Sequence, residues 1–465
     1  MEDKKRNSFG GSIGFVLAAA GSAVGLGNIW RFPYLAAKDG GGLFLVVYII
    51  LALTFGYALL TTEIAIGRKT KQSPLTAYGK LKRHWGPVGV LASLVPFIIM
   101  PYYSVIGGWV LKYFVAYLTG DGKKAASDDF FTGFITAQYE PIIMMVVFLA
   151  IVAFIVFRGV NKGIESSSKI IMPILLVMII AIAIFSLTIS RTDATGTVRT
   201  GMEGLKVYLV PNLEGMTIGK LFRVLIDALG QLFFSLSVAM GIMIAYGSYV
   251  KDDANLGKSI NQIEIFDTVV AFLAGAMIIP AVYTFMGSDG MSSGPSLMFV
   301  SLPKVFDAMG SVGNIIGCVF FAMVLFAAIT SAVSVMEAIV ASFMDAFHMT
   351  RTKAGVIESI CALVGGVIVC LGYNKLYFEV KLPNGATAQI LDIMDYISNN
   401  CFMPIVALLT CILVGWVLKP KSIIEEVEKS GCKMGRKTLF TVMIKFIAPI
   451  FLILLLLQTL GIMKL

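Results

Sequence analysis

Apolar residues run through this chain in long blocks separated by short polar breaks. Blocks long enough to cross about 30 Å of hydrocarbon, which takes roughly 20 helical residues, fall near 11–37, 42–67, 88–118, 141–158, 167–190, 221–247, 262–284, 312–346, 355–373, 390–418 and 438–460. A backbone in hydrocarbon must satisfy its own polar groups, so each block predicts a helix. The whole predicts an all-α integral membrane protein of eleven spans. The head MEDKKRNS is basic, and no small-residue cleavage site follows a brief apolar core. The first block is therefore expected to stay as a helix behind a cytoplasmic tail at 1–10. The loops at 68–84 and 419–437 each carry six Lys or Arg, whereas TGDGKKAASDD falls on the opposite side. This bias places both basic loops in the cytoplasm of a plasma (inner) membrane, and an odd number of spans leaves GIMKL extracellular or periplasmic.

Two blocks are interrupted where a helix least tolerates it. Residues 10–34 read GGSIGFVLAAAGSAVGLGNIWRFPY, with GSAVGLGN in the middle. Each interior Gly costs a helix about 1 kcal/mol, and the carbonyls it frees meet no water at that depth. Freed carbonyls with the Asn28 side chain form an oxygen-rich nest suited to a small hard cation; a glycine-rich packing face is the alternative. The sixth block, RVLIDALGQLFFSLSVAMGIMIAYGSYV, sets two serines and a small-residue run around Ser235–Gly241 and predicts a second broken helix. Packing through small residues is again the competing reading. Blocks one and six head two five-helix groups, 11–190 and 221–418, with an eleventh helix at 438–460. That is the placement expected of an inverted-repeat transporter whose first helix in each half is discontinuous.

Charges stranded in apolar blocks need partners, since one near the bilayer centre costs about 2.5–3.5 kcal/mol even on the lenient insertion scale. Glu63 could snorkel toward Arg68, whereas Asp267 has no such escape. Thr330 and Ser331 are adjacent hydroxyls in block eight, where back-bonding to helix carbonyls is the ordinary outcome.

Composition agrees with this picture: of 465 residues 57% are hydrophobic and 14% charged, at a mean hydropathy of +0.86. The net charge of +9 is accounted for by the cytoplasmic loops, so nothing points to nucleic acid. The six cysteines show no metal-type spacing, and the two histidines, His84 and His348, fall in loops, which disfavours a zinc or haem enzyme.

GSAVGLGNIWRFPYLAAKDGGG, the Tyr102–Tyr103 pair, QLFFSLS, the Thr330–Ser331 pair and LDIMD at 391–395 together resemble the neurotransmitter:sodium symporter family, in its bacterial amino-acid branch with eleven helices. The resemblance covers the chain through the tenth block. It implies a 5+5 inverted-repeat core and two sodium ions. The first would be held by the carbonyl of Ala23, the side chains of Asn28 and Ser235, and Asp267. The second would be held by carbonyls of Gly21, Val24 and Ala327 with the hydroxyls of Thr330 and Ser331. Oxygen ligands without nitrogen or sulfur suit an alkali cation. Glu63 would accept hydrogen bonds from the unwound backbone of both broken helices.

Two departures from the family pattern carry meaning. Asp267 stands where relatives usually carry Asn, so a fixed carboxylate replaces the chloride that animal members bind, and no twelfth helix follows. Gly25 stands where monoamine carriers have Asp, leaving room for the ligand's own carboxylate beside the first sodium. The resemblance thus implies a chloride-independent symporter of a hydrophobic or aromatic L-amino acid working by alternating access; a biogenic amine or other small zwitterion is the alternative. Its site would comprise Ala23, Gly25, Ile99, Tyr103, Phe234, Ser237, Met240 and Val335. Arg31 and Asp395 would close it from outside, and Arg6, Asp345 and Tyr249, with Ser248 nearby, from inside. Gly163 and Pro173 would let one helix unwind locally, although Pro as a packing kink is equally open. The implied partners are the amino acid, sodium ions and membrane lipid; the oligomeric state is left open. A channel would need a continuous polar stripe, and an enzyme a nucleophile–base pair; the sequence shows neither.

Overall fold

The computed structural model describes residues 8–192, 196–287, 290 and 296–463. Helices α1 (Ser12–Ala23) and α2 (Gly27–Lys38) form one unit bent by 54° at the glycine-rich break. They are followed by α3 (Gly42–Thr70), the short α4 (Pro74–Leu81), α5 (Arg83–Leu118), α6 (Glu140–Phe157) and α7 (Val160–Thr188). After α8 (Gly201–Leu209) come α9 (Ile218–Ser235) and α10 (Ile242–Ser248), the halves of the second interrupted helix. The longer remaining helices are α11 (Leu256–Met286), α12 (Ser311–Phe347), α13 (Arg351–Leu371), α14 (Ile390–Val417) and α16 (Lys437–Thr459), with the loop helix α15 (Lys421–Glu428) before the last. Two antiparallel ribbons, Ser190–Thr192 against Val198–Thr200 and Val380–Lys381 against Thr387–Ala388, close loops between them.

Among the described residues nine helices are long and apolar enough to cross a membrane, and the α1–α2 unit makes ten. Block 221–247 falls short on the same measure, because its break leaves halves of 18 and 7 residues, and α9 opens with Lys220, Arg223 and Asp227. The break itself is as expected. Gly163 lies in a π-helical turn, Val160–Glu165, that opens α7 ahead of the expected start at 167, and Pro173 lies within the helix.

Membrane helices sort their side chains by neighbour rather than by water. On α7, Ile170, Val177 and Ile184 point outward in one stripe while Met172, Leu175, Ile179 and Ile182 face the bundle, the division expected of a helix between lipid and protein. The broken α1 is enclosed by α7, α11 and α12, and α5 packs along α12. Close backbone approach fixes one of these crossings: a Cβ on Gly67 would lie 2.0 Å from the Ile244 carbonyl oxygen, and one on Gly247 2.3 Å from that of Ile64. Glycine is required there so that α3 and α10 can touch.

Arg68, at the end of α3, is fully buried. Its Nε donates to Glu426 Oε1 of α15 at 2.8 Å, its Nη1 to the Ala254 carbonyl at 2.9 Å, and its Nη2 to the Glu426 carbonyl. Glu63 therefore does not reach toward Arg68, which is committed to α15 and the 249–255 loop. Removing one partner of a buried pair leaves a bare buried charge, at a cost of about 3–5 kcal/mol, whereas replacing both by apolar groups is often neutral. Arg68→Met should accordingly lower the thermal unfolding midpoint of the detergent-solubilised protein sharply, and Arg68→Met with Glu426→Leu should recover most of it. Equal loss in the single and double variants would refute the pairing as the source.

Candidate functional site

The two helix breaks face each other at the centre of the bundle. Helix α1 ends where the Val24 N–H donates to the Ala20 carbonyl, 2.7 Å away, and α2 begins with a π-helical turn, Gly27–Arg31. Between α9 and α10, Ser237, Ala239 and Gly241 all take left-handed backbone conformations, with φ of 51°, 61° and 70°. Such a run costs a non-glycine backbone about 1 kcal/mol or more at each residue. The surroundings must hold it in place.

They do so through side chains that replace the missing helical hydrogen bonds. The Gln231 amide of α9 donates to the Gly27 carbonyl (3.1 Å). Ser237 and Ser331 hydroxyls both donate to the Ser22 carbonyl, at 3.0 and 3.1 Å, and Ser331 also reaches the Gly21 carbonyl at 3.4 Å. The Ala239 N–H donates to Glu63 Oε1 at 2.5 Å. The expected second grip of Glu63, on the backbone of the first broken helix, is not made: its Oε2 has no hydrogen-bond partner.

A polar cluster sits between α2, α9 and α11. Asn28 Nδ2 donates to Ser235 Oγ (2.9 Å) and to Asp267 Oδ1 (2.8 Å), and the Ser235 hydroxyl lies 2.8 and 2.9 Å from the two Asp267 oxygens. All three are fully buried. Tyr48 of α3 adds a longer contact to Asp267 Oδ2 at 3.5 Å. The side-chain amide oxygen of Asn28, Oδ1, has no hydrogen-bond partner. A buried amide oxygen without a donor costs about 1–3 kcal/mol unless something electropositive meets it, and a hard cation is such a partner.

A second group of oxygens lies across α1 and α12. The Thr330 hydroxyl back-bonds to the Phe326 and Ala327 carbonyls, both at 3.1 Å, and a Cβ on Gly21 would stand 3.3 Å from Thr330 Cβ. Gly21, Ala327, Thr330 and Ser331 thus meet, with Val24 at the end of α1 nearby in sequence. The Thr330 hydroxyl makes the helical bonds that are its ordinary fate, whereas the Ser331 hydroxyl donates across to the Gly21 and Ser22 carbonyls at the end of α1.

Ala23, Gly25, Ile99, Tyr103, Phe234, Ser237, Met240 and Val335 line one cavity, joined by Ser22, Gly27, Asn28 and Ser331. Its volume is about 20 Å³, space for roughly one water molecule. Glycine is needed twice in its wall: a Cβ at Gly25 would lie 2.7 Å from Ser331 Oγ, and one at Gly27 2.3 Å from the Phe234 ring. The Tyr103 hydroxyl is buried there with no hydrogen-bond partner.

Phe234 also lines a second cavity, an aromatic vestibule of about 400 Å³, together with Trp30, Trp109, Phe299, Tyr373, Arg31 and Asp395. Arg31 and Asp395 do not form a direct ion pair among the described residues. Asp395 Oδ1 is already engaged by the Tyr102 hydroxyl (3.2 Å) and the Asn399 amide (2.6 Å), while the Arg31 guanidinium runs past Gly230. Of the inner gate, Arg6 lies outside the described residues. Asp345 Oδ2 accepts from the Ser73 N–H ahead of α4 at 2.6 Å, and the Ser248 hydroxyl back-bonds to the Ala245 carbonyl. Tyr249 donates to Glu337 Oε1 at 2.7 Å, and Arg351 grips the same carboxylate bidentately at 2.6 and 2.7 Å. Sequence reasoning passed over Glu337 and Arg351. The signal was available: Glu337 is a charge stranded in an apolar block, as Glu63 and Asp267 are.

A helical membrane protein in which two broken helices enclose oxygen-rich clusters has the architecture of a secondary transporter. The chain matches the sodium:neurotransmitter symporter family over residues 6–129 and 133–464, and it belongs to that family, a family of sodium-dependent multi-pass transporters rather than of enzymes. It is 33% identical over 471 residues to YhdH, an uncharacterised sodium-dependent transporter of Bacillus subtilis, with full coverage of both chains. It is 31% identical to a counterpart in Methanocaldococcus jannaschii, over 94% of this chain and 87% of that one. Rat sodium- and chloride-dependent GABA transporter 2 is 24% identical over 91% of this chain and 75% of its own. Among solved structures, MhsT in complex with L-phenylalanine superposes with a TM-score of 0.85 at 35% identity, covering 98% of this chain and all of that one. The all-α fold with broken first and sixth helices is thereby that of the bacterial branch.

The Gly27–Phe234 contact generates a test. Gly27→Ala puts a methyl where the ring lies, so Phe234 must swing away from the cavity mouth. Substrate affinity, measured by equilibrium binding on protein that still elutes as a sharp gel-filtration peak, should fall about tenfold or more, a loss of about 1.4 kcal/mol. Unchanged affinity would show that Phe234 is not packed on the bound ligand.

Proposed function

We propose that this chain imports a hydrophobic or aromatic L-amino acid together with sodium, by alternating access and without chloride. The observation that carries the reading is the buried, unpaired side-chain oxygen Oδ1 of Asn28 at the edge of the small cavity, with Ser235 and Asp267 held by the same side chain. One sodium would use Asn28, Ser235, Asp267 and the Ala23 carbonyl. A second would use Gly21, Val24, Ala327, Thr330 and Ser331. The ligand's carboxylate would take the space kept open by Gly25, completing the first sodium shell and receiving a hydrogen bond from the unpaired Tyr103 hydroxyl. Its ammonium would face carbonyls of the two breaks. That MhsT was solved with L-phenylalanine supports an amino-acid ligand with a large apolar side chain. Such a side chain exceeds the present cavity of about 20 Å³, so Phe234 and the flexible Met240 must yield to admit it.

The cycle follows from the positions of the closures. Phe234, with Arg31 and Asp395 of the vestibule lining, closes one side. On the other, the Tyr249–Glu337–Arg351 network closes the face we assign to the cytoplasm, beside Phe9, whose N–H donates to the Tyr249 carbonyl. Opening one while the other holds exposes the site alternately. Sodium couples to substrate because the ligand's carboxylate is itself a ligand of the ion, a reciprocal linkage typically of 1–3 kcal/mol.

Decarboxylated analogues should fail: tyramine and phenethylamine should not compete at concentrations where tyrosine and phenylalanine do, in a binding assay run in Na⁺ and repeated in K⁺. Equal competition by an amine and its parent amino acid would overturn the carboxylate–sodium arrangement.

Chloride offers a separate check. With Asp267 supplying a fixed charge, uptake into proteoliposomes should be indifferent to replacing Cl⁻ by gluconate, and Asp267→Asn should impair it. A chloride requirement in the unsubstituted chain would remove that role from Asp267.

A further inference from the structure

Two carboxylates that take no part in the site described above meet at the far end of α2. Asp39 follows the last residue of the helix, its N–H donating to the Leu35 carbonyl at 2.8 Å. It is only 6% exposed. Its Oδ2 has no hydrogen-bond partner. Lys38 is drawn elsewhere: its Nζ donates to Asp227 Oδ2 of α9 at 2.8 Å and stands 4.0 Å from Asp39 Oδ1. An ionised Asp39 would thus be a nearly buried charge without a direct donor, beside a second carboxylate. Both conditions disfavour the charged form.

Asp39 also lines a cavity of about 290 Å³ together with Asn212, Glu214, Lys220 and Arg223. The loop roofing this cavity is tied to the α2 end by the Asn212 N–H donating to the Gly40 carbonyl at 3.0 Å. The charged and titratable groups around Asp39 come from each packed element: Lys38 and Tyr34 from α2, Asp227, Arg223 and Lys220 from α9, and Glu214 from the loop. Lys38 and Arg223 oppose protonation; burial and Asp227 favour it. Burial is the larger effect and Asp227 the next, and together they push the Asp39 carboxyl up to about 7.

We propose that Asp39 and Asp227 form a proton-binding carboxyl pair, in which a neutral Asp39 donates its hydrogen to Asp227 and draws α2 against α9. These are the halves of the broken helices that carry Asn28 and Arg31 on one side and Phe234 and Ser235 on the other. Proton occupancy therefore sets how firmly two walls of the transport site are joined at their outer ends. Binding is a simple association, Asp39–COO⁻ taking H⁺ from water, with no other bond made or broken. The sign follows from linkage: the folded chain holds a proton between about pH 4 and 7 that the unfolded chain, with an ordinary carboxyl near 3.9, releases. This contribution to stability is present at mildly acid pH and is lost as pH rises through about 7.

The test needs neither substrate nor a known membrane orientation. Infrared difference spectra of the purified full chain, titrated between about pH 5.5 and 8.5, should show a protonated-carboxyl carbonyl band that disappears near pH 7 and is missing in Asp39→Asn. In Asp227→Asn, which keeps Asp39 but removes the neighbouring charge, the band should titrate about a pH unit or more lower. Thermal unfolding midpoints should decline with rising pH more steeply in the unsubstituted chain than in Asp39→Asn, whose amide mimics the protonated form. A band that survives in Asp39→Asn, or a midpoint unmoved in Asp227→Asn, overturns the pair.

Discussion

The structure depends on one constraint: backbone freed by two helix breaks in an interior without water must find partners in side chains. Breaking a helix there exposes carbonyls and amides that would each cost several kcal/mol in hydrocarbon. The protein meets this by setting the breaks face to face and surrounding them with short polar side chains. Gln231 serves the Gly27 carbonyl, Ser237 and Ser331 serve Ser22, and Glu63 holds the Ala239 amide. The left-handed run at Ser237, Ala239 and Gly241 persists because these contacts leave it no alternative.

The same arrangement creates binding capacity, because partners are supplied to most of these groups and withheld from a few. Asn28 Oδ1 and the Tyr103 hydroxyl are buried and unpaired at the edge of one small cavity. Each is unfavourable alone, and each becomes favourable when a cation or a carboxylate arrives. Binding energy is in this way held in reserve in the folded protein. Glycine contributes by absence: at Gly25 and Gly27 a single methyl would collide with Ser331 or Phe234, so the close approach of ligand, ion and backbone rests on two missing side chains.

Away from the site, ion pairs do the mechanical joining. Arg68 binds α3 to α15 and to the 249–255 loop, and Glu337 gathers Tyr249 and Arg351. At the loop ahead of α11, Asp252 is held to about 2 by hydrogen bonds from Lys429 and Lys71. It stays ionised at any physiological pH, and as an exposed cluster it positions more than it stabilises. Asp39 is the opposite case, a carboxyl whose surroundings favour the proton.

Much of this was legible in the sequence, and the reason is the membrane. In hydrocarbon a glycine run or a stranded charge is so costly that its presence alone marks a functional place, and GSAVGLGN, SLSVAMG and Asp267 announced themselves in that way. So did the family, through motifs read residue by residue. Helix count and approximate ends followed from apolar length. The sequence could not decide which polar groups would find each other. Asp395 turned to Tyr102 and Asn399 rather than directly to Arg31, Arg68 to Glu426 rather than to Glu63, and Tyr249 to Glu337, because those choices depend on which helices the fold brings side by side. The size of the cavity, the unpaired state of Asn28 and Tyr103 and the meeting of Asp39 with Asp227 belong to the tertiary structure alone: they arise between residues hundreds of positions apart, 239 for Asn28 and Asp267 and 309 for Ser22 and Ser331, brought together by packing that no local pattern encodes.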